Sequence, residues 1–247
     1  MLKEFGDNQR STVISHDPLA DGALQLVADE GETLKRSVTA KADQTEQVWV
    51  ELLRDGLTFD LSGIAPGPCS AIPEIDQRFD LEQSPASARL EPLILAPGQH
   101  LTGGEASMPV VKTLMALACD MINHFDDLVA VAWQPARSVI GRRYFESVAT
   151  AWLDGGAFPA LGLTSFRETN DGALQSVGLD FWIGQELRIE PPLSSDKVDA
   201  TRLGVRIINQ LVMIGGLDQS ERVTAPDGSR LVMRPSRNGK FVRVSHE

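Results

Sequence analysis

Two polar loops hold most of the residues whose types and spacing could do chemistry. The first reads Pro97-Gly98-Gln99-His100-Leu101-Thr102-Gly103-Gly104-Glu105 and feeds directly into a helical pattern. A glycine-rich turn at a helix start exposes backbone N–H groups where the helix dipole is positive, which suits phosphate or carboxylate. Gly103 and Gly104 allow close approach of a ligand, while Gln99, His100 and Thr102 supply polar side chains beside it. Of these, only the imidazole of His100 exchanges a proton near neutral pH, which makes it the one candidate for general acid or base. The loop lacks the lysine and spacing of a P-loop and is not GxGxxG, and Glu105 competes with any anion at the helix start. A glycine-rich connector ending in a helix-favouring acid accounts for the same residues.

The second loop, Gln134-Pro135-Ala136-Arg137-Ser138 into Gly141-Arg142-Arg143-Tyr144, supplies positive charge instead. Arg137, Arg142 and Arg143 gather about the expected start of a helix, where the dipole disfavours cations, and a local violation of that kind can mark a site. A guanidinium grips carboxylate or phosphate through two parallel hydrogen bonds. If strands over residues 90–95 and 128–133 are parallel neighbours, both loops emerge at one sheet edge, where α/β ligand sites form. The plainer reading pairs these arginines with surface carboxylates of an acidic protein.

Other chemistries have less behind them. The histidines His16, His100, His124 and His246 are scattered, with no HExxH, CxxC or Cys/His ligand pair, so neither metal nor cofactor is expected. GxSxG is absent; Cys119 falls in an apolar helical stripe that would keep its thiol inert, and Cys69 has no base nearby in sequence. Glu186 and Glu190, four residues apart in an expected strand, point to one face, which usually means a wet face. The four tryptophans, Trp49, Trp133, Trp152 and Trp182, lie in apolar segments and are expected in the core.

The whole chain frames these sites. Its 247 residues suffice for a sizeable core, and 34 acidic against 23 basic residues give a net charge of -11. That charge repels polyanions and argues against nucleic-acid or anionic-membrane partners. No apolar run reaches the roughly 18 residues that span a bilayer, the first fifteen residues lack a signal-peptide core, and two cysteines make no disulfide framework, so a cytoplasmic setting is expected.

The elements that must position the loops follow from periodicity. Residues 1–47 form a polar N-terminal segment with a short apolar patch at Leu24, Leu26 and Val27. Residues 48–86 hold a β-hairpin about Asp55-Gly56 and an irregular, proline-rich connection, with a subdomain boundary near residue 86. Residues 87–247 are expected to form the main α+β domain. Within it come a strand over 90–95, a helix over 107–125, a strand over 128–133 and a helix opened by Ser138 or a neighbour. A hairpin about Asn170-Asp171-Gly172 follows, with its strands running over 159–166 and 174–183. A strand over 185–189, a helix capped by Asp196 over 198–214 and a terminal meander complete the pattern. The class is α+β: a mixed β-sheet covered by about three helices, with a small N-terminal β element.

From Phe158 the residues Pro159-Ala160-Leu161-Gly162-Leu163-Thr164, Gly178-Leu179 and Gly184-Gln185-Glu186-Leu187, followed by a helix, carry a likeness. They are similar to the C-terminal domain of the bacterial group filed as domain of unknown function 4261. Val129-Ala130-Val131-Ala132-Trp133 and a helix with Tyr144-Phe145 resemble the segment before that domain. The resemblance implies a bacterial intracellular protein and carries over no catalytic residue.

The leading reading is therefore a non-catalytic binding or interaction protein of the bacterial cytoplasm, with a protein or a small anionic ligand as partner. The alternative is a hydrolase or transferase acting on a small anionic substrate at loops 97–105 and 134–144. There His100 is the general acid or base and Arg137, Arg142 and Arg143 hold the substrate.

Overall fold

The computed structural model describes residues 13–15, 48–64, 70–81, 90–225 and 227–247. Cys69, His16, the apolar patch at Leu24 to Val27 and the boundary expected near residue 86 lie outside them. The chain forms two compact units that interleave in sequence: residues 1–72 with 82–128, and residues 73–81 with 129–247. The class is α+β, as the periodicity indicates.

The first unit is an antiparallel sheet in the order β1-β2-β3-β5, built from β1 (Val13–Ser15), β2 (Trp49–Arg54), β3 (Leu57–Ser62) and β5 (Ile94–Pro97). Asp55 and Gly56 join β2 to β3 with φ of 52° and 77°, the paired positive values of a two-residue hairpin turn. A turn of that length fixes the register, and Leu52 stands opposite Phe59 and Glu51 opposite Asp60. Val50, Leu52, Phe59 and Leu61 are buried on one side. Against that side packs helix α1 (Met108–His124), whose Val111, Leu114, Met115, Leu117 and Ile122 are also buried. Helix α1, expected in the main domain, thus completes the core of the N-terminal sheet.

In the second unit, β4 (Gln77–Phe79) runs parallel to β7 (Ser138–Gly141), which pairs antiparallel with β6 (Ala130–Trp133). The helix expected to open at Ser138 instead opens at Arg142, as α2 (Arg142–Leu153). The cause is local. Arg137 takes φ of 49°, turning the chain, and the fully buried Ser138 hydroxyl donates to the Gly162 carbonyl at 2.5 Å instead of capping a helix. The first arm of the hairpin, expected over 159–166, begins only at Ser165, because Gly162 with φ of 108° bends residues 160–163 into the kinked turn α3 (Ala160–Leu163); β8 (Ser165–Glu168) and β9 (Leu174–Val177) then form the hairpin. The strand expected to continue to residue 183 ends at Val177, because Gly178 breaks the path with φ of 87° and α4 (Asp180–Ile183) follows.

A six-stranded sheet in the order β11-β12-β13-β10-β9-β8 closes the unit, adding β10 (Glu186–Ile189), β11 (Glu221–Thr224), β12 (Arg230–Pro235) and β13 (Phe241–His246). All of its pairings are antiparallel except β10 with β13. Parallel neighbours need a crossover, and α5 (Lys197–Ile214) lies in the connection between them. Asp196 caps α5, accepting from the N–H groups of Val198 and Asp199 at 2.9 and 3.0 Å, and Gly215 stops it with φ of 80°. The buried residues Ala200, Gly204, Ile207, Ile208 and Leu211 form its inner side. Trp133, Trp152 and Trp182 pack with Phe158 and Phe181 in one aromatic cluster, ring centroids 4.8 to 5.8 Å apart.

Candidate functional site

The two candidate loops belong to different units. Strand β5, which leads into the first loop, pairs with β3; β6, which leads into the second, pairs with β7 in a separate sheet. They are not parallel neighbours, so the shared sheet edge that would have joined the loops does not form.

In the first loop, Gln99–Leu101 is one turn of 3-10 helix that returns the chain toward β3. The Gly98 N–H donates to the Thr58 carbonyl at 2.9 Å. A Cβ on Gly98 would stand 2.7 Å from Thr58 Oγ1, so only glycine permits this approach. The result brings His100 to Thr58, whose Oγ1 lies 3.1 Å from Nδ1. Asp60 lies two residues further along β3, on the same side of the sheet as Thr58, and faces Glu51 across the hairpin. Burial and the charge of Glu51 push the Asp60 carboxyl above its ordinary value, while His100 acts in the opposite sense. A hydroxyl, an imidazole and a carboxyl whose pKa is raised therefore share one side of this sheet.

The C-terminal end of the loop turns inward on itself. Thr102 Oγ1 donates to the Gln99 carbonyl at 2.5 Å, Gly104 N–H donates to the Leu101 carbonyl at 2.9 Å, and Gly103 N–H donates to the Glu105 carboxylate at 2.8 Å. The carboxylate of Glu105 thus occupies the N–H that an anion would use. Gln99 is exposed beside it.

In the second loop the arginines separate. Arg137 ends a 3-10 turn over Gln134–Ala136, and its guanidinium is held by Glu74 at 2.7 Å and Asp76 at 3.0 Å. Its carbonyl accepts from the N–H groups of Asp76 and Gln77 at 2.8 and 3.2 Å, so Arg137 ties β4 into place. Arg142 and Arg143 stand at the far end of β7, roughly 13 Å of strand away. Arg142 is half-buried and Arg143 exposed on α2.

One group that the chemistry of the loops does not reveal lies at the start of β10. Glu186 is half-buried, accepting from the Gly178 N–H at 2.8 Å and from the Ser176 hydroxyl. Burial raises its carboxyl above the ordinary range, and Asp180 adds to that rise. Its sequence neighbour on the same face, Glu190, follows the wet reading and pairs with Arg188 at 2.9 Å. Nothing in the local sequence distinguishes the two, because the donors to Glu186 come from β9 and the turn after it, ten and eight residues upstream.

No family model, no curated protein and no solved structure matches the chain. The likeness drawn from Phe158 to Leu187 accordingly rests on those residues alone.

Proposed function

We propose that the chain is a non-catalytic binding or interaction protein, working in the bacterial cytoplasm as its resemblance implies, with another protein as the partner. The observation that carries this reading is the edge of the first sheet. Strand β5 ends the order β1-β2-β3-β5, and β3 is its one sheet partner among the described residues. Its first residue, Ile94, is 43% exposed, Leu93 before it 39%, and Leu90 37%. An edge strand that leads with exposed apolar side chains is a template for another chain. Natural edges are blunted by charge, by proline or by shortness; β5 carries no charge, but it is four residues long and ends in Pro97. The test is cross-linking and native mass spectrometry of the protein from its own cells, repeated with Leu93→Lys and Ile94→Lys together. The expected result is a partner mass that the double variant loses while its melting curve is unchanged. Retention of the partner by a folded double variant would overturn the assignment.

A second reading has an observation of its own, the approach of Thr58 and the acid Asp60 to His100. In it His100 is the general acid or base of a hydrolase or transferase on a small anionic substrate. His100→Ala abolishes turnover of any substrate found by screening while the fold persists; full activity in that variant removes the mechanism.

A further inference from the structure

The register of the six-stranded sheet carries the furthest inference. Arg167 stands opposite Gln175, Gln175 opposite Arg188, Arg188 opposite Arg243 and Arg243 opposite Arg234. Directly paired residues share a side of a sheet, so four arginines and one glutamine form a single row across β8, β9, β10, β13 and β12. At the usual strand spacing the row is about 19 Å long. The alternating residues Leu187, Ile189, Val242, Val244, Leu231 and Met233 are fully buried on the other side, where α5 packs. The arginine row therefore lies on the side of the sheet away from α5.

The row is positively charged in a chain of net charge -11. Arg188 is held by Asp171 and Glu190, and Glu190 is also 3.8 Å from Arg243. None of the ion pairs among the described residues involves Arg234 or Arg167, and both are exposed. Like charges set directly opposite one another, as Arg234 and Arg243 are, oppose the sheet that holds them. A local cost of this kind is what a binding surface carries when its partner is away.

The geometry points to an acidic, extended segment of a partner protein, lying across the strands on this arginine row. Guanidinium forks match carboxylates with two parallel hydrogen bonds. Three carboxylates at alternate residues of an extended chain span about 13 Å, which the row accommodates. Two features favour a peptide over nucleic acid. The net charge repels a polyanion at long range, and Asp171 and Glu190 inside the row would face a continuous phosphate backbone. This surface is distinct from the β5 edge, and the inference stands or falls independently of that edge.

Fluorescence anisotropy of the full chain with a labelled hexapeptide alternating Glu and Ser tests it, beside its Lys-Ser counterpart and a labelled thymidine hexanucleotide. The expected result is saturable binding of the Glu peptide alone, weakened at least about tenfold by Arg234→Gln with Arg243→Gln and unchanged by Arg206→Gln on α5. Arg234→Gln alone serves if the double variant fails to fold. Absence of Glu-peptide binding, equal loss in Arg206→Gln, or tighter binding of the hexanucleotide would each overturn the proposal, the last assigning the row to nucleic acid.

Discussion

In the first unit an arginine, Arg54, is buried and the carboxyl groups of Glu51 and Asp60 lie on the outer side of the sheet; in the second, a half-buried carboxyl, Glu186, shares the outer side of its sheet with the arginines Arg188 and Arg243. The means of holding the Arg54 and Glu186 charges also differ. Arg54, 8% exposed, is matched by a counter-ion, Asp120 on α1. Glu186 is matched by neutral donors, the Ser176 hydroxyl and the Gly178 N–H, with the like charge of Asp180 nearby. A guanidinium stays charged at every working pH whatever its partner. Neutral donors leave the carboxyl free to titrate, and burial then raises its pKa. The two units thus build one charge that is constant and one that responds to pH.

The largest expected effect breaks the first half of this contrast. Asp120→Ala leaves the buried Arg54 guanidinium with only the exposed Asp55 carboxylate, 3.9 Å away, and it should cost about 3 kcal/mol, the low end for breaking a buried pair, because Asp120 keeps 28% of its side-chain exposure. Replacing both residues, as Arg54→Met with Asp120→Leu, should recover most of that loss. Urea denaturation of the three proteins checks this. A double variant no more stable than Asp120→Ala would show that the pair, not the stranded charge, holds the unit.

The second half is tested by Glu186. Glu186→Ala strands the Gly178 N–H and the Ser176 hydroxyl and should cost about 1–3 kcal/mol. Glu186→Gln keeps an acceptor and removes the titration. A carboxyl whose pKa is raised on folding binds its proton more tightly in the folded chain than in the unfolded one. Its contribution to stability is therefore fully present below the ordinary carboxylate range and lost as pH rises through that range to the raised value. The wild type should lose stability across this window, and Glu186→Gln should lose less. Melting temperatures at stepped pH decide; identical slopes would mean that another group titrates there.

Asp60 offers a smaller version of the same argument in the other unit. Its pKa is raised by burial and by Glu51, and held back by His100. Because His100 lowers the Asp60 pKa, His100→Ala should move the Asp60 titration to higher pH, read from its carboxyl carbon by NMR. An unmoved titration would separate Asp60 from His100 and remove the observation behind the enzymatic reading.

How far these sites were legible follows from what sets the register. Asp55-Gly56 announces a two-residue turn, and such a turn pairs Glu51 with Asp60 without further information. The cap at Asp196, the stop at Gly215 and the hairpin about Asp171-Gly172 were legible for the same reason, since each is local chemistry. The start of α2 was not: Ser138 has the residue type of a helix cap, yet its hydroxyl is claimed by Gly162, twenty-four residues away. The arginine row was hidden more deeply. Arg188 and Arg243 meet through a parallel pairing made across α5 and a meander, and no local signal sets that offset. Nor does the sequence show that Arg137 is bound by Glu74 and Asp76, because β4 arrives from the far side of the first unit's strands in chain order.

The smallest expected effect sharpens the outer half of the comparison. If Arg234 and Arg243 repel across β12 and β13, Arg234→Gln should stabilise the isolated protein by about 0.2–1 kcal/mol while weakening its hold on an acidic peptide. The gain should shrink as salt rises, because both guanidinium groups are exposed and screening acts on them fully. The matching change in the first unit, Glu51→Gln opposite Asp60, should also stabilise, and by the same screening argument its gain should survive salt better, since Asp60 is partly buried. Thermal melts of both variants at low and high salt make the comparison. A lower melting temperature for Arg234→Gln would show that Arg234 serves the fold instead of opposing it, and would withdraw the repulsion on which the arginine row's partner was argued.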